Sequence, residues 1–355
     1  MRTVLFLAVV LGACSSTPAD HGTGTDGGGN GGDGGGHGTV DASTTPAGAI
    51  QIIVEPNGNK GAELVTAIKG AQHSVYMTMY ELDNSDVISA LTGRATAGLD
   101  VQVVLDSSTT NKTFNTPAYN SLMTAGAKPV WSNPTFTYTH EKTVIIDGTV
   151  AWIMTMNANT SSPVDNREYI AIDTDAADIT EATAIFHADH ALQSITPTGA
   201  LVVANTNARS QLAALIASAT STLDVEVEEL SDTDSNGIVD AIVAAAQRHV
   251  TVRVTVANAG PDATSDNDIK TAGGKVVMTG PTSDAGTPTN PYIHAKAILV
   301  DCSGTTCARG FVGSENFSAG SLGYNRELGV ITDAATELAK VKAAIDTDFA
   351  AGVAQ

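Results

Sequence analysis

Residues 48–195 and 199–350 of this 355-residue chain read as two versions of one plan. In the first version, periodicity places a strand at 49–55, a helix at 62–71, a strand at 75–81, a helix at 86–97 and a strand at 100–105. The second repeats the order, with a strand at 201–204, a helix at 210–219, a strand at 223–229, a helix at 237–248 and a strand at 250–256. Strands alternating with helices of this length build α/β units on a largely parallel or mixed sheet. The duplication predicts two similar α/β lobes, mixed sheets flanked by helices, sharing an interface. Ligand sites favour such interfaces.

The chemistry-bearing residues fall at matching places. His140-Glu141-Lys142 leads an apolar run to Asp147-Gly148, and His294-Ala295-Lys296 leads another to Asp301. Both follow the pattern H-x-K-x-x-x-x-D. In a strand, residues two apart share a face about 6.5 Å apart, so each His and Lys are expected to project together. Asp147-Gly148 is a strong hairpin-turn pair, which gives Asp147 a structural place. Downstream, Asn157 in Met154-Thr155-Met156-Asn157 is matched by Asn316 in Gly313-Ser314-Glu315-Asn316. Asn166-Arg167-Glu168 is matched by Asn325-Arg326-Glu327.

With these paired motifs the chain resembles the phospholipase D superfamily, essentially over 48–350. The resemblance implies a catalytic set of His140, Lys142, Asp147, His294, Lys296 and Asp301. One neutral imidazole would attack phosphorus to give a phosphohistidine, and the other would protonate the leaving oxygen and then activate water. By resemblance His140 is the nucleophile and His294 the acid. Lys142, Lys296, Asn157 and Asn316 would cradle the phosphate oxygens, and Glu168 and Glu327 would each orient an imidazole. No cofactor or metal is assigned a role. The first half departs from the family's Gly-Ser-x-Asn, and Met154 in place of Gly is expected to narrow the pocket.

The N-terminus reads as an address. Residues 1–14 carry a short positive start, an apolar run too brief to span a bilayer, and Leu11-Gly12-Ala13-Cys14, which resembles a bacterial lipoprotein box. Lipidation at Cys14, with Ser15 next, would place the protein in the cell envelope at the outer membrane; a secreted chain with an ordinary signal peptide is the alternative. Residues 15–47 are glycine-rich and expected to form a flexible tether. Of the remaining cysteines, Cys302 and Cys307 sit five apart in a loop and are expected to form a disulfide.

The chain carries 18 Lys+Arg against 38 Asp+Glu, a formal charge of −20. That balance disfavours a non-specific nucleic-acid coat. A cleft made positive by Lys142, Lys296, Arg167 and Arg326 could still take a nucleic acid. A phospholipid or other phosphodiester is the preferred substrate, acted on by a monomer with pseudo-dimeric lobes at a membrane; a nuclease and a cardiolipin synthase-like phosphatidyltransferase are the alternatives. Residues 232–237 imitate the start of a calcium loop but offer Val243 where such loops need Glu, so a polar turn is expected. His187 and His190 lack the carboxylate spacing of a metal cage, and His73 lies in a loop. Glu81 and Glu229 end equivalent strands, beside the cleft or as ordinary strand-end carboxylates.

Overall fold

The computed structural model describes residues 42–232, 237–258, 262–282 and 285–355. The leader, Cys14 and the glycine tract lie outside the described residues. The first lobe opens with β1 (Ile50–Glu55), α1 (Ala62–Gly70), β2 (Ser74–Met79), α2 (Ser85–Thr96) and β3 (Asp100–Leu105). It continues with α3 (Thr109–Thr124), β4 (Lys128–Trp131), β5 (Lys142–Ile146), β6 (Val150–Met154), α4 (Ser162–Asp165), β7 (Asn166–Asp173) and α5 (Ala176–His190). The second lobe begins with β8 (Val202–Val203), α6 (Ala208–Ala217), β9 (Thr222–Val227), α7 (Ile238–Gln247) and β10 (Thr251–Ala257). There follow α8 (Ala263–Thr271), β11 (Lys275–Thr279), β12 (Tyr292–Ile293), β13 (Lys296–Val300) and β14 (Arg309–Gly313). The chain ends with α9 (Ala319–Tyr324), β15 (Leu328–Thr332), α10 (Ala335–Ala351) and β16 (Val353–Ala354).

The first sheet has the order β1-β7-β6-β5-β2-β3-β4, with β12 added beside β7; the second runs β16-β11-β10-β9-β13-β14-β15-β8. In each lobe three parallel strands, β2-β3-β4 or β9-β10-β11, meet an antiparallel set through β5 or β13. Met79 lies opposite Lys142 and Val227 opposite Lys296, so the two lobes share one register. The duplicated α/β architecture is therefore present, with two mixed sheets flanked by helices.

Both faces of β5 and β13 are covered along their whole length. That is why Val144-Ile145-Ile146 and Ala297-Ile298-Leu299-Val300 are continuous apolar runs without alternation. Helices α2 and α5 start where a side chain satisfies free backbone donors: Asn84 accepts from Asp86 and Val87, and Asp175 from Ala177 and Asp178. One core cluster draws on both lobes, joining Ile52, Ile153, Tyr169 and Phe186 to Val203, Leu299, Leu338 and Ile345. Each aliphatic side chain buried there contributes roughly 1.5–3 kcal/mol, so the lobes are held together by apolar burial.

Two expectations change. Residues 42–46, assigned to the tether, are seated on the second lobe: Ala42 joins its core and the Thr45 N–H donates to the Ile331 carbonyl at 2.8 Å. Asp147 and Asp301, named with the catalytic set, stand at the far ends of β5 and β13 from the histidines. Asp147 and Gly148 take φ of +54° and +62°, the left-handed pair of a tight hairpin, and the Asp147 carboxylate accepts from the N–H groups of Gln72, His73 and Ser74. Asp301 does the same for Thr220, Ser221 and Thr222. Both are locks between a turn and the start of a neighbouring strand. Cys302 and Cys307 form a disulfide (S–S 2.07 Å) in the loop between β13 and β14.

Candidate active site

His140 and His294 do not share a strand with their lysines. Each stands two residues before β5 or β13, in a lead-in whose backbone pairs with the opposite lobe. Thr139 bridges Arg326 in parallel, and the N–H groups of His140 and Glu141 donate to the Arg326 carbonyl at 2.9 and 3.0 Å. Correspondingly β12 pairs with β7, Tyr292 beside Asn166 and Ile293 beside Arg167. One residue further along, each histidine meets the other lobe's glutamate. His140 Nδ1 lies 2.7 Å from Glu327 Oε2, and His294 Nδ1 lies 2.8 Å from Glu168 Oε1.

The glutamates are themselves fixed. Glu327 accepts from Ser321 Oγ at 2.6 Å and Asn325 Nδ2 at 2.9 Å; Glu168 accepts from Thr155 Oγ1 and, at 3.3 Å, Asn166 Nδ2. Burial alone would raise both carboxyls, but the facing imidazoles and the lysines hold them below the usual range. A carboxylate on Nδ1 orients each ring and leaves Nε2 as the nitrogen for substrate. The ring centroids are 6.5 Å apart. At that spacing a phosphorus atom can stand about 3 Å from an Nε2 on either side.

Lys142 and Lys296 are fully buried, and their ammonium groups donate to the carbonyls of His140 and His294 at 2.6 and 2.7 Å. Burial and the charge of Lys296 pull Lys142 down to about 7. Burial, opposed by Glu327 and reinforced by Lys142, also lowers His140. Asn157 Nδ2 lies 3.4 Å from Glu81, and Asn316 Nδ2 donates to Glu228 at 3.1 Å. A cavity of about 390 Å³ over His140 is lined by Tyr80, Tyr138, Glu229, Asn316 and Asn325. A second, of about 660 Å³, gathers Glu81, Asp83, Asp86 and Asp165 around Lys60. Glu81 and Glu229 thus both border open space.

Arg167 and Arg326 do not line the cleft. Arg167 Nε pairs with Asp348 of α10 at 2.5 Å, and Arg326 Nε with Asp189 of α5 at 2.9 Å. Each clamps its lobe to the last helix of the other. Met154 is buried in the first lobe's core and does not narrow the pocket. At the matching position a Cβ on Gly313 would lie 2.3 Å from Glu315 Oε2 and 2.6 Å from Gly329 Cα, so glycine is required only in the second lobe. His187 packs against Tyr76 and Phe186, and His190 Nε2 lies 2.9 Å from the Lys128 carbonyl. Asp232 pairs with Arg209 and caps Ile238; residues 233–236 of the calcium-like stretch lie outside the described residues. Among the described residues no group of three or more His, Cys, Asp or Glu is arranged to hold a metal ion, and no helix is long and apolar enough to cross a membrane.

Tyr80 and Glu228, absent from the sequence-derived set, both enter the site. The Tyr80 ring lies 4.6 Å from the His140 ring and 5.0 Å beneath the Lys142 ammonium. Their signal was the duplication: Met79-Tyr80-Glu81 aligns with Val227-Glu228-Glu229.

The chain matches the family described as "Cardiolipin synthase, PLD-like domain" over residues 64–190 and 212–350. Comparison with curated proteins finds no match. Among solved structures it is similar to polyphosphate kinase from Porphyromonas gingivalis, at 16% identity and a TM-score of 0.64, over 84% of this chain and 50% of that one. The chain therefore spans about half the length of that kinase. It is also similar to phosphatidylserine synthase from Haemophilus influenzae Rd KW20, at 11% identity and a TM-score of 0.64, over 88% of each chain. At these identities the likeness is one of fold.

Proposed function

The chain belongs to the phospholipase D superfamily, and on that premise we propose that it is a phosphodiesterase that hydrolyses phospholipid headgroup esters through a phosphohistidine. The observation that carries this reading is the pair of imidazoles 6.5 Å apart, each oriented by the other lobe's glutamate. His140 Nε2 attacks phosphorus, forming an N–P bond as the P–O bond to the leaving alcohol breaks. His294 passes its Nε2 proton to that oxygen. Water then gives a proton to His294 and forms a new P–O bond as N–P breaks, returning both imidazoles to their starting states. The lowered His140 supports its part as nucleophile, because only the neutral ring can attack. Lys142, Lys296, Asn157 and Asn316 stabilise charge building on the non-bridging oxygens.

Acidity supports a lipid over a nucleic acid. The chain's charge is −20, and Glu81, Asp83, Asp86 and Glu229 border the two cavities. A long polyanion needs cations along its track, whereas one diester needs them only at phosphorus. A chain anchored through Cys14 would also meet phospholipid first. The test offers phosphatidylcholine vesicles, cardiolipin vesicles and single-stranded DNA side by side. Soluble headgroup is released and the DNA stays intact. Cut DNA with untouched vesicles would turn the reading to a nuclease, and lipid turnover only with an added alcohol would turn it to a transferase.

The pH profile follows from Lys142. As the pH rises through about 7 its ammonium is lost, so kcat/KM falls, roughly fivefold between pH 7 and 8. On the acid side activity falls when His140 takes a proton. Lys142→Arg keeps its charge throughout and flattens the alkaline limb in a profile of kcat/KM against pH. An unchanged alkaline limb in that variant would assign it to another group.

A further inference from the structure

The two half-sites differ at the residue directly after β2 or β9. In the first lobe that residue is Tyr80, whose ring faces Lys142. Among the described residues no carboxylate pairs with the Lys142 ammonium. In the second lobe it is Glu228, and its carboxylate is fully engaged. Oε2 accepts from Lys296 Nζ at 2.8 Å and Asn316 Nδ2 at 3.1 Å, and lies 3.6 Å from His294 Nε2. Oε1 accepts from the Tyr292 hydroxyl at 3.1 Å. Lys296, Asn316 and His294 Nε2 are the groups that would hold a phosphoryl group on that side. A carboxylate oxygen in their midst stands where a phosphate oxygen would stand.

We infer that Glu228 is a built-in competitor for the phosphate seat, a specificity-determining residue that a substrate phosphoryl group must displace to engage Lys296. This rests on the phosphodiesterase reading of the same site. Half of the cationic cradle is already neutralised, so a small free anion gains little by entering. A diester brings two ester arms whose contacts in the flanking cavities supply what the phosphoryl group alone lacks. Phosphate docks first at Lys142, whose ammonium pairs with no carboxylate among the described residues, and Glu228 then yields the second half-site. The site thereby rejects free phosphate while accepting its diesters.

Titration calorimetry with inorganic phosphate tests this on the full chain. Glu228→Gln keeps the size and the Tyr292 contact but removes the charge, and Glu228→Tyr copies the first lobe. Both bind phosphate at least about tenfold more tightly than wild type, a gain that a damaged fold does not produce. Unchanged or weaker binding in either folded variant would overturn the inference and make Glu228 a support for Lys296 and Asn316. Repeating the pair in a His140→Ala background separates this from the reaction scheme. There no phosphohistidine can form at residue 140, yet the gain in phosphate affinity persists.

Discussion

His140→Ala and His294→Ala each lose phospholipid turnover by a factor on the order of 10⁴ or more. In the proposed scheme one imidazole attacks and the other gives the proton, one from each lobe. A loss of that size corresponds to about 5.5 kcal/mol of transition-state stabilisation. The double variant is scarcely worse than either single one, because groups that act as a unit are removed only once. The two roles separate on a diester with a good leaving group, such as a nitrophenolate, which departs without a proton. With that substrate His294→Ala gives a burst of nitrophenolate and accumulates phosphate label on His140, whereas His140→Ala gives neither. A burst from His140→Ala would reverse the roles, and full steady-state turnover in either variant would end the two-histidine scheme.

Arg326→Ala destabilises the protein by about 3–5 kcal/mol at neutral pH, the cost of leaving one member of a buried pair alone. Arg326 and Asp189 are 3% and 2% exposed, and the guanidinium also stacks 4.4 Å from the Phe136 ring centroid. Burial, relieved by Arg326, already pushes the Asp189 carboxyl up to about 6. Its folded value lies above the unfolded one, so the folded state binds the extra proton between those values. The penalty for burying Asp189 is therefore full above about 6 and shrinks as pH falls. Urea unfolding of Arg326→Ala at pH 7 and pH 5 shows the larger deficit at pH 7. A deficit below about 1 kcal/mol at both would mean that the clamp contributes no more than an exposed pair. The same reach across lobes is made by Arg167 to Asp348, with a further bond from Arg167 to the Glu55 carbonyl at 2.8 Å.

Much of the architecture was legible along the chain because it is local. The 2.0 and 3.6 periodicities located the repeating strands and helices to within about two residues, and the duplication paired them. What failed was partner choice. Asp147 and Asp301 close the two copies of one repeated motif, yet strand geometry carries them to the end remote from the imidazoles. Arg167 and Arg326 lie beside the orienting glutamates in sequence, and adjacent residues of a strand point to opposite faces. The glutamates face the rings and the arginines face the neighbouring helix. Met154 stood next to a site residue and went into the core for the same reason.

From sequence alone came the two-lobed α/β plan, the matched histidines, lysines, asparagines and glutamates, and the cysteine pair, all carried by repeats and short spacings. Only tertiary structure decided that His140 belongs to Glu327, 187 residues away, and His294 to Glu168, 126 residues away. The parallel pairing of each lead-in with the opposite lobe sets that exchange, and no local pattern encodes it. The place of Glu228 was decided the same way: a carboxylate at a strand end takes its meaning from the lysine, asparagine and histidine that the fold brings around it.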